Sequence, residues 1–263
     1  MKRFYSFALI ALGLLFMAPH SATAQSDMTA RGVIEANIEA TGGLAAWRDV
    51  KDLVSEADIA FEIPQMGTLE LKLESWSLFP GYGYTNIELL GGPAVVTAEQ
   101  VNQKAYYTPL EGWMEMGGQR SNLSDLPAAT RQQFQRSAAK GELEFLNLPD
   151  SALVLLEDEV LNDRPVYAVN VTTNGTTIKF LFDKETYYVA AQETSSPIGS
   201  IMSVMGDYRD IGGGFIVAHS QTAEMGGQGT QTITFTNIKV NSGLTPDQIA
   251  AKAGVKKKTA APE

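Results

Sequence analysis

The stretch Arg164-Pro-Val-Tyr-Ala-Val-Asn-Val-Thr-Thr-Asn-Gly-Thr-Thr-Ile-Lys-Phe-Leu-Phe-Asp183 decides the fold, because it has the pattern of two strands joined by a tight turn. Asn174-Gly175 is typical of a two-residue type I′ turn, in which both residues adopt positive φ. On either side, apolar residues recur at every second position, which is the period of a strand with one buried face. The pattern predicts a hairpin whose apolar face consists of Tyr167, Val169, Val171, Ile178, Phe180 and Phe182.

The same period of two occurs along most of the chain. Leu69, Leu71 and Leu73 alternate with charged residues, which predicts a half-buried strand. Asn162-Asp163 predicts a second hairpin turn. In the last strand the apolar phase changes near Thr236-Asn237, which a β-bulge would explain. We therefore expect about eleven strands in one antiparallel sheet.

Four segments have helical patterns instead. Asp27 to Gly42 repeats apolar residues every four positions, with Ser26 or Asp27 as the cap, and Leu44 to Asp52 predicts a second, short helix. Asp125 to Lys140 predicts an internal helix. A closing helix begins at Thr245, which forms a capping box with Gln248, and ends at Gly254. The expected class is α+β: a strongly curved antiparallel sheet, or half-closed β-barrel, covered by a few helices.

The two ends of the chain differ from the rest. Residues 1–24 have a basic start, an apolar run and the small-residue site Ala22-Thr23-Ala24, which is the layout of a secretory signal peptide cleaved after Ala24. Residues 255–263 contain Lys256-Lys257-Lys258 and no apolar cluster, so we expect a disordered basic tail. A single domain over residues 25–254 remains, and the protein should be periplasmic or secreted, without stable membrane insertion.

Composition excludes several classes of function. The chain has no cysteine, and only His219 remains once His20 is lost with the signal peptide, which excludes thiol nucleophiles, cysteine zinc sites and HExxH. The formal net charge of −10 disfavours nucleic acid as a partner. A histidine-based hydrolase would depend on His219, but its strand pattern favours a structural, hydrogen-bonded histidine. The carboxylate pairs Glu70/Glu74 and Asp158/Asp163 leave a glycosidase open, although a solvated face is the simpler explanation of each pair.

A broad curved sheet with few covering helices leaves an apolar hollow, and ligand cavities are mostly apolar. The candidate ligand-binding residues are the apolar sides of the predicted strands: Leu69, Leu71, Leu73, Ile178, Phe180, Phe182, Phe215 and Val217. The pattern does not distinguish a cavity wall from a packed core. No metal ligand and no catalytic residue is expected among them.

The order of several motifs resembles the LolA-like family of periplasmic carriers that sort outer-membrane lipoproteins. The motifs are Ile38-Glu-Ala-Thr-Gly-Gly43 with Leu44-Ala-Ala-Trp47, Ala105-Tyr-Tyr107 with Gly112-Trp113, Arg164-Pro-Val-Tyr-Ala-Val169 with Phe180-Leu-Phe-Asp183, Asp207-Tyr-Arg-Asp210 with Gly214-Phe-Ile-Val217, and Ile233 to Asn241. The resemblance implies acyl chains bound between sheet and helices, no cofactor and no catalysis. The sequence departs from the family by having no arginine between Arg48 and Arg120.

These observations predict a monomeric, non-enzymatic envelope carrier. Its cargo would be a lipid, the acyl chains of a lipoprotein or another hydrophobic ligand, and membrane proteins of the envelope would be its donor and acceptor. The alternative is a sensor or scaffold that binds a partner protein through an exposed apolar patch or edge strand.

Overall fold

One open antiparallel sheet dominates the fold. The computed structural model describes residues 28–126, 141–173, 175–196, 199–225 and 227–255. Within them, 14 strands follow the order β6-β5-β4-β3-β2-β1-β14-β13-β12-β11-β10-β9-β7, with β8 paired to β9. The strands are β1 (Asp52–Ile63), β2 (Gly67–Leu78), β3 (Tyr82–Gly91), β4 (Gln103–Tyr107), β5 (Gly112–Met116), β6 (Gln119–Asn122), β7 (Leu153–Leu155), β8 (Glu159–Leu161), β9 (Arg164–Thr173), β10 (Thr176–Asp183), β11 (Val189–Ser196), β12 (Gly199–Asp210), β13 (Ile216–Glu224) and β14 (Thr230–Val240).

The predicted class is confirmed, but the strand number of about eleven was too low. The additional strands include β6, which at four residues is too short to show a reliable alternating pattern. The sheet does not close, because its hydrogen-bonded path ends at β6 on one side and β7 on the other.

The helices are shorter than predicted. They are α1 (Ala30–Ala40), α2 (Leu44–Arg48), α3 (Ala98–Val101) and α4 (Pro246–Lys252), and the short segments Leu123–Asp125, Gly141–Asn147 and Asp150–Ala152 are 3-10 helices. The cap of α1 is Thr29, not Ser26 or Asp27: its hydroxyl accepts a hydrogen bond from the Gly32 backbone N–H at 3.0 Å. The predicted helix from Asp125 to Lys140 lies outside the described residues except at its first positions.

The predicted turn chemistry is confirmed at several points. Asn162 and Asp163 both have positive φ, 48° and 64°, as a type I′ turn requires. In the hairpin that decides the fold, Thr173 pairs with Thr176, so two residues separate the paired positions. Thr236 is the extra residue of a bulge, because β1 pairs Glu56 with Asn237 but the next residue, Ala57, with Phe235.

The two faces of the sheet differ in what covers them. We call the face that carries Phe180 and Phe182 the inner face. There, α1, α2 and the 3-10 segment at 143–148 bury one cluster of apolar residues. Its fully buried members, each 0 % exposed, are Val33, Ile34, Val169 and Phe182. Arg31 of α1 fixes the 3-10 segment by donating to the carbonyls of Leu146 and Leu148 at 3.0 and 2.7 Å.

The opposite, outer face has two smaller clusters. Helix α4 packs Ile249 against aromatic residues of β2 to β5, including Tyr84 and Trp113. Its position depends on Asp52, a buried carboxylate that accepts hydrogen bonds from the backbone N–H groups of Ser242, Gly243 and Leu244. Val166, Ala168, Leu181 and Ala191 form the second outer cluster, under Leu156 and Leu161.

Candidate ligand-binding site

A cleft of about 170 Å³ opens between the first two helices and the inner face. Its sheet wall comes from β10 to β13 and its helical wall from α1 and α2. The lining residues are Asn37, Thr41, Trp47, Phe180, Val189, Gln192, Met205, Tyr208, Ile216, Val217 and Ala218. Most of them are apolar or aromatic, as is usual for sites that bury small molecules.

The polar side chains of the helical wall form hydrogen bonds with other groups of the protein. Asn37 donates from Nδ2 to the Tyr187 carbonyl at 2.8 Å, and the Thr41 hydroxyl donates to the Asn37 carbonyl at 2.8 Å. Trp47 Nε1 lies 3.2 Å from the Thr41 carbonyl, and its ring meets Phe215 edge-on at 5.1 Å. These bonds hold the helical wall in place and leave its apolar surfaces facing the cleft.

The inner face continues from the cleft across the sheet in straight rows, because directly paired residues of an antiparallel sheet share a face. One row runs Phe180, Gln192, Ser203, Ala223, Gln231, Phe61 and Leu69. A second row begins at Met205 in the cleft and runs Gln221, Ile233, Ile59, Leu71 and Leu89. The cleft is thus continuous with the leucines of β2.

The inner rows are almost free of charge. The charged side chains of the paired strands occupy the outer register positions: Glu56, Asp58, Glu62, Glu70, Lys72, Glu74, Glu88, Lys104, Glu115, Arg120, Lys179, Glu193, Glu224 and Lys239. Near the end of β12, Asp207 and Arg209 are exposed and lie on either side of Tyr208, which lines the cleft. They form an ion pair with each other, at 2.5 Å.

The pKa directions agree with this separation of charge. Burial raises the pKa of the Tyr107 hydroxyl, on the inner register of β4, so it stays neutral. The Arg209 guanidinium, which hydrogen-bonds Asp207, lowers the pKa of that carboxyl, and Asp207 in turn raises the pKa of Arg209. Both groups therefore remain charged and paired at neutral pH, at the exposed end of the strand.

The eight predicted binding residues fall into three places. Phe180 and Val217 line the cleft, and Phe215 supports it by packing on Trp47. Ile178 and Phe182 contact the apolar cluster under α1, where Phe182 is completely buried. Leu69, Leu71 and Leu73 lie on the same face in β2, which five strands separate from β10. Whether a ligand contacts these residues stays a prediction.

The groups considered for catalysis do not assemble into a site. His219 is buried, and its Nδ1 lies 3.1 Å from the Val217 carbonyl; none of the described serines or carboxylates hydrogen-bonds it. Glu74 pairs with Lys252 at 2.7 Å, and Asp158 pairs with Lys184. Among the residues with described positions, no group of three or more His, Cys, Asp or Glu side chains could hold a metal ion.

Solved structures with a similar fold identify the fold of this chain. No protein-family model matches the sequence, and no curated protein matches it. The solved structures that resemble it include a domain assigned to outer-membrane lipoprotein sorting from Vibrio parahaemolyticus, with 13 % identity, a TM-score of 0.52 and coverage of 85 % of this chain and all (100 %) of that one. A LolA-superfamily protein from Nitrosomonas europaea has 14 % identity and a TM-score of 0.54, covering 84 % and 97 %.

The chain has a LolA-like fold. A DUF1329-family protein from Desulfovibrio piger is similar to the same degree, with 14 % identity, a TM-score of 0.56 and coverage of 85 % of this chain and 98 % of that one. At these identities the likeness concerns the LolA-like fold alone. In the described part of the chain, no helix has the length and apolar character needed to span a bilayer.

Sequence reasoning missed part of the cleft wall. Asn37 and Trp47 belong to helices and Thr41 is the C-cap of α1, so a search along strands could not select them. Gln192 was missed because it is polar, although it occupies an inner register position of its strand. One signal was available in the sequence: a polar residue stands where the alternating pattern predicts an apolar one.

Proposed function

We propose that the protein is a non-enzymatic carrier of the bacterial envelope that binds a lipid, lipoprotein acyl chains or another hydrophobic ligand on its inner face. The observation that carries this proposal is the separation of charge across the sheet: charged strand residues occupy the outer register, and the cleft opens onto the nearly uncharged inner one.

The size of the cleft defines how a ligand would enter. Apolar cavities of about 150 Å³ admit a single aromatic ring, whereas sites for larger ligands measure about 300–1,000 Å³. A cleft of about 170 Å³ therefore holds only the end of a hydrocarbon chain. A longer chain would extend along the inner rows, where each buried methylene contributes about 0.8 kcal/mol.

We further propose that the carrier is exported and works in the periplasm or outside the cell. The support is the sequence of residues 1–24, which has the layout of a cleaved signal peptide and lies outside the described residues. A carrier in that compartment requires a donor and an acceptor, for which membrane proteins of the envelope are the candidates.

Filling the cleft tests the proposal. Ala218 lines the cleft, so Ala218→Leu should occupy part of its volume and weaken uptake of diphenylhexatriene, an uncharged fluorescent probe. The matched control is Ala60→Leu in β1, where Ala60 pairs with Glu70 on the outer register. If both variants remain folded by circular dichroism and bind the probe equally well, or if the unmodified protein binds none, the carrier proposal is wrong.

A second candidate function, a sensor or scaffold that binds a partner protein, is favoured by an apolar rim at one end of the sheet. Met66, Leu90, Val95 and Met116 are 47–70 % exposed. Met66 and Val95 lie on the β1–β2 and β3–β4 connections, and Leu90 and Met116 lie near the ends of β3 and β5, at the same end of the sheet. Exposed apolar patches mark interaction sites. The test is a pull-down from envelope extract with lipid-free protein as bait. A partner that the unmodified protein captures and the Met66→Gln/Leu90→Gln variant does not would support this function over the carrier.

A further inference from the structure

Leu90 is exposed because a β-bulge turns it out of the sheet. Glu70 of β2 pairs with Gly91 of β3. The next residue of β2, Leu71, pairs with Leu89, so Leu90 is the extra residue of the bulge. Bulges re-aim side chains, and this one leaves the leucine 60 % exposed near the end of the strand. The exposure of Leu90 is therefore built into the backbone of the sheet.

The connection that follows β3 holds the bulge in place. Asn102, the C-cap residue of α3, accepts a hydrogen bond at Oδ1 from the Leu89 backbone N–H at 2.7 Å. Earlier in the connection, the Val96 N–H donates to the Pro93 carbonyl at 2.9 Å, and Val95, 70 % exposed, lies inside this turn. A surface that is already ordered loses less conformational entropy when a partner binds.

The same connection packs against β2 and against the β5–β6 turn. A Cβ atom on Gly92 would lie 2.8 Å from Leu69 Cδ1, so the backbone passes directly over β2. A Cβ atom on Gly117 would lie 3.2 Å from the Glu99 carbonyl oxygen of α3, and Met116, 51 % exposed, directly precedes this glycine. The exposed apolar side chains of β3, of the connection and of β5 therefore belong to one packed unit.

Carboxylates flank these apolar side chains. Glu70 pairs directly with the residue that follows the bulge, Glu62 lies on the same outer register in β1, and Glu99 lies in the first turn of α3. All three are exposed, and none of them forms an ion pair with a described lysine or arginine. Lys72 and Arg120, which lie on neighbouring strands, already pair with other carboxylates at 3.6 and 2.9 Å. The surface thus combines apolar side chains with negative charge.

We propose that this surface docks a basic amphipathic segment of a partner protein, whose lysine or arginine side chains pair with the three carboxylates and whose apolar side chains cover Leu90, Val95 and Met116. The inference rests on the second candidate function, whose partner it names, and it is independent of the carrier because the cleft lies on β10 to β13. An acidic partner or an anionic membrane would be repelled. An uncharged partner would remove the carboxylates from water without supplying a cation.

Fluorescence anisotropy with labelled peptides tests the partner class. Two peptides of equal length share one amphipathic helical pattern of leucines, with lysine at the polar positions of the first and glutamate at those of the second. The lysine peptide should bind the full chain, and its affinity should fall steeply when salt is raised to about 1 M, where the Debye length is about 3 Å. The glutamate peptide should not bind.

Two charge variants locate the binding of the lysine peptide. Glu70→Gln/Glu99→Gln should weaken it about fivefold and reduce its salt dependence, because two ion pairs at an exposed surface are lost. The matched control is Glu111→Gln/Glu185→Gln, which removes the same charge from exposed residues at the opposite end of the sheet. The control should leave the affinity unchanged, which separates docking from a general attraction to an acidic protein.

Two leucine variants test the apolar part of the surface. Leu90→Ser should weaken binding of the lysine peptide about tenfold, because the partner no longer buries the leucine. Leu110→Ser is the matched control, since Leu110 is 97 % exposed in the β4–β5 connection at the other end of the sheet, and it should have no effect. Circular dichroism verifies that each variant is folded, and uptake of diphenylhexatriene should be the same in all of them.

The outcomes separate the partner class from the functions proposed above. If the variants of this surface bind the lysine peptide as tightly as the unmodified protein, or if the glutamate peptide binds better, the inference is wrong. Should Met66→Gln/Leu90→Gln still lose a partner from envelope extract in that case, the second candidate function stands and only the partner class fails. Flotation of the protein with phosphatidylglycerol vesicles that Leu90→Ser abolishes would identify a membrane-binding surface and overturn the inference.

Discussion

Replacing Arg31 by methionine should loosen the 3-10 segment that covers part of the inner face. Arg31 donates to the Leu146 and Leu148 carbonyls at 3.0 and 2.7 Å and to Asp150 at 2.7 Å. Hydrogen bonds from a charged donor contribute about 1.5–3 kcal/mol each. Asp150 is 87 % exposed, so its ion pair adds at most about 1 kcal/mol. With the arginine side chain itself 29 % exposed, we expect a loss of about 3 kcal/mol in the local stability of this segment.

Methionine keeps most of the aliphatic stem, so the change isolates the guanidinium. Amide hydrogen exchange is the direct assay, because the Leu148 amide is protected by its bond to the Phe145 carbonyl at 3.1 Å. A loss of about 3 kcal/mol speeds exchange of that amide about hundredfold. Arg209→Met, which removes an exposed ion pair instead, serves as the control. If both variants leave exchange at Leu148 unchanged, the reasoning about Arg31 is refuted.

Three further predictions concern stability, and urea or thermal unfolding checks each of them. Asp52→Asn should lower the free energy of unfolding by about 2–3 kcal/mol, because an amide cannot accept all the N–H bonds that this buried carboxylate receives; an unchanged value contradicts its anchoring role. Phe182→Ala should lower the free energy of unfolding by about 3–5 kcal/mol, because Phe182 is fully buried. Val154→Ala should lower it far less, because Val154 is 48 % exposed. Equal decreases would show that Phe182 is not part of the core. The hydrogen bond from Lys179 lowers the pKa of Glu193 in the folded protein. This pair therefore stabilises the fold at pH values above the pKa that Glu193 has in the unfolded chain, and the stabilisation is lost as the pH falls through the pKa of the folded state. Lys179→Met should make the free energy of unfolding less dependent on pH below about pH 4, and an identical pH profile would contradict the pairing.

Local chemistry made much of the sheet predictable. The type I′ turn at Asn162-Asp163 requires residues that tolerate positive φ, and the bulge at Thr236 is visible as a change of phase between Phe235 and Ile238. The capping box of Thr245 and Gln248 is likewise a local arrangement and begins α4 as predicted. Each of these depends on a few consecutive residues, which is why the sequence alone was sufficient.

The candidate site was harder to predict because it depends on contacts between distant elements. Phe180 and Phe182 are two residues apart and share a face, yet one lines the cleft and the other is fully buried under α1. No periodicity separates them, since the difference arises from where the helix lies on the sheet. Trp47 and Met205 meet in the cleft only after the chain folds, so their proximity has no local signature.

The central claim is that an apolar ligand binds on the inner face at the cleft, and methionine-methyl NMR tests it most directly. Met205 lines the cleft, whereas Met66 is 47 % exposed at the tip of the β1–β2 hairpin. With ¹³C-methyl methionine and an uncharged aromatic probe such as diphenylhexatriene, ring currents should shift the Met205 methyl signal and leave that of Met66 in place. A Met205 signal that stays fixed while the probe binds, or equal shifts at both methionines, would contradict the account.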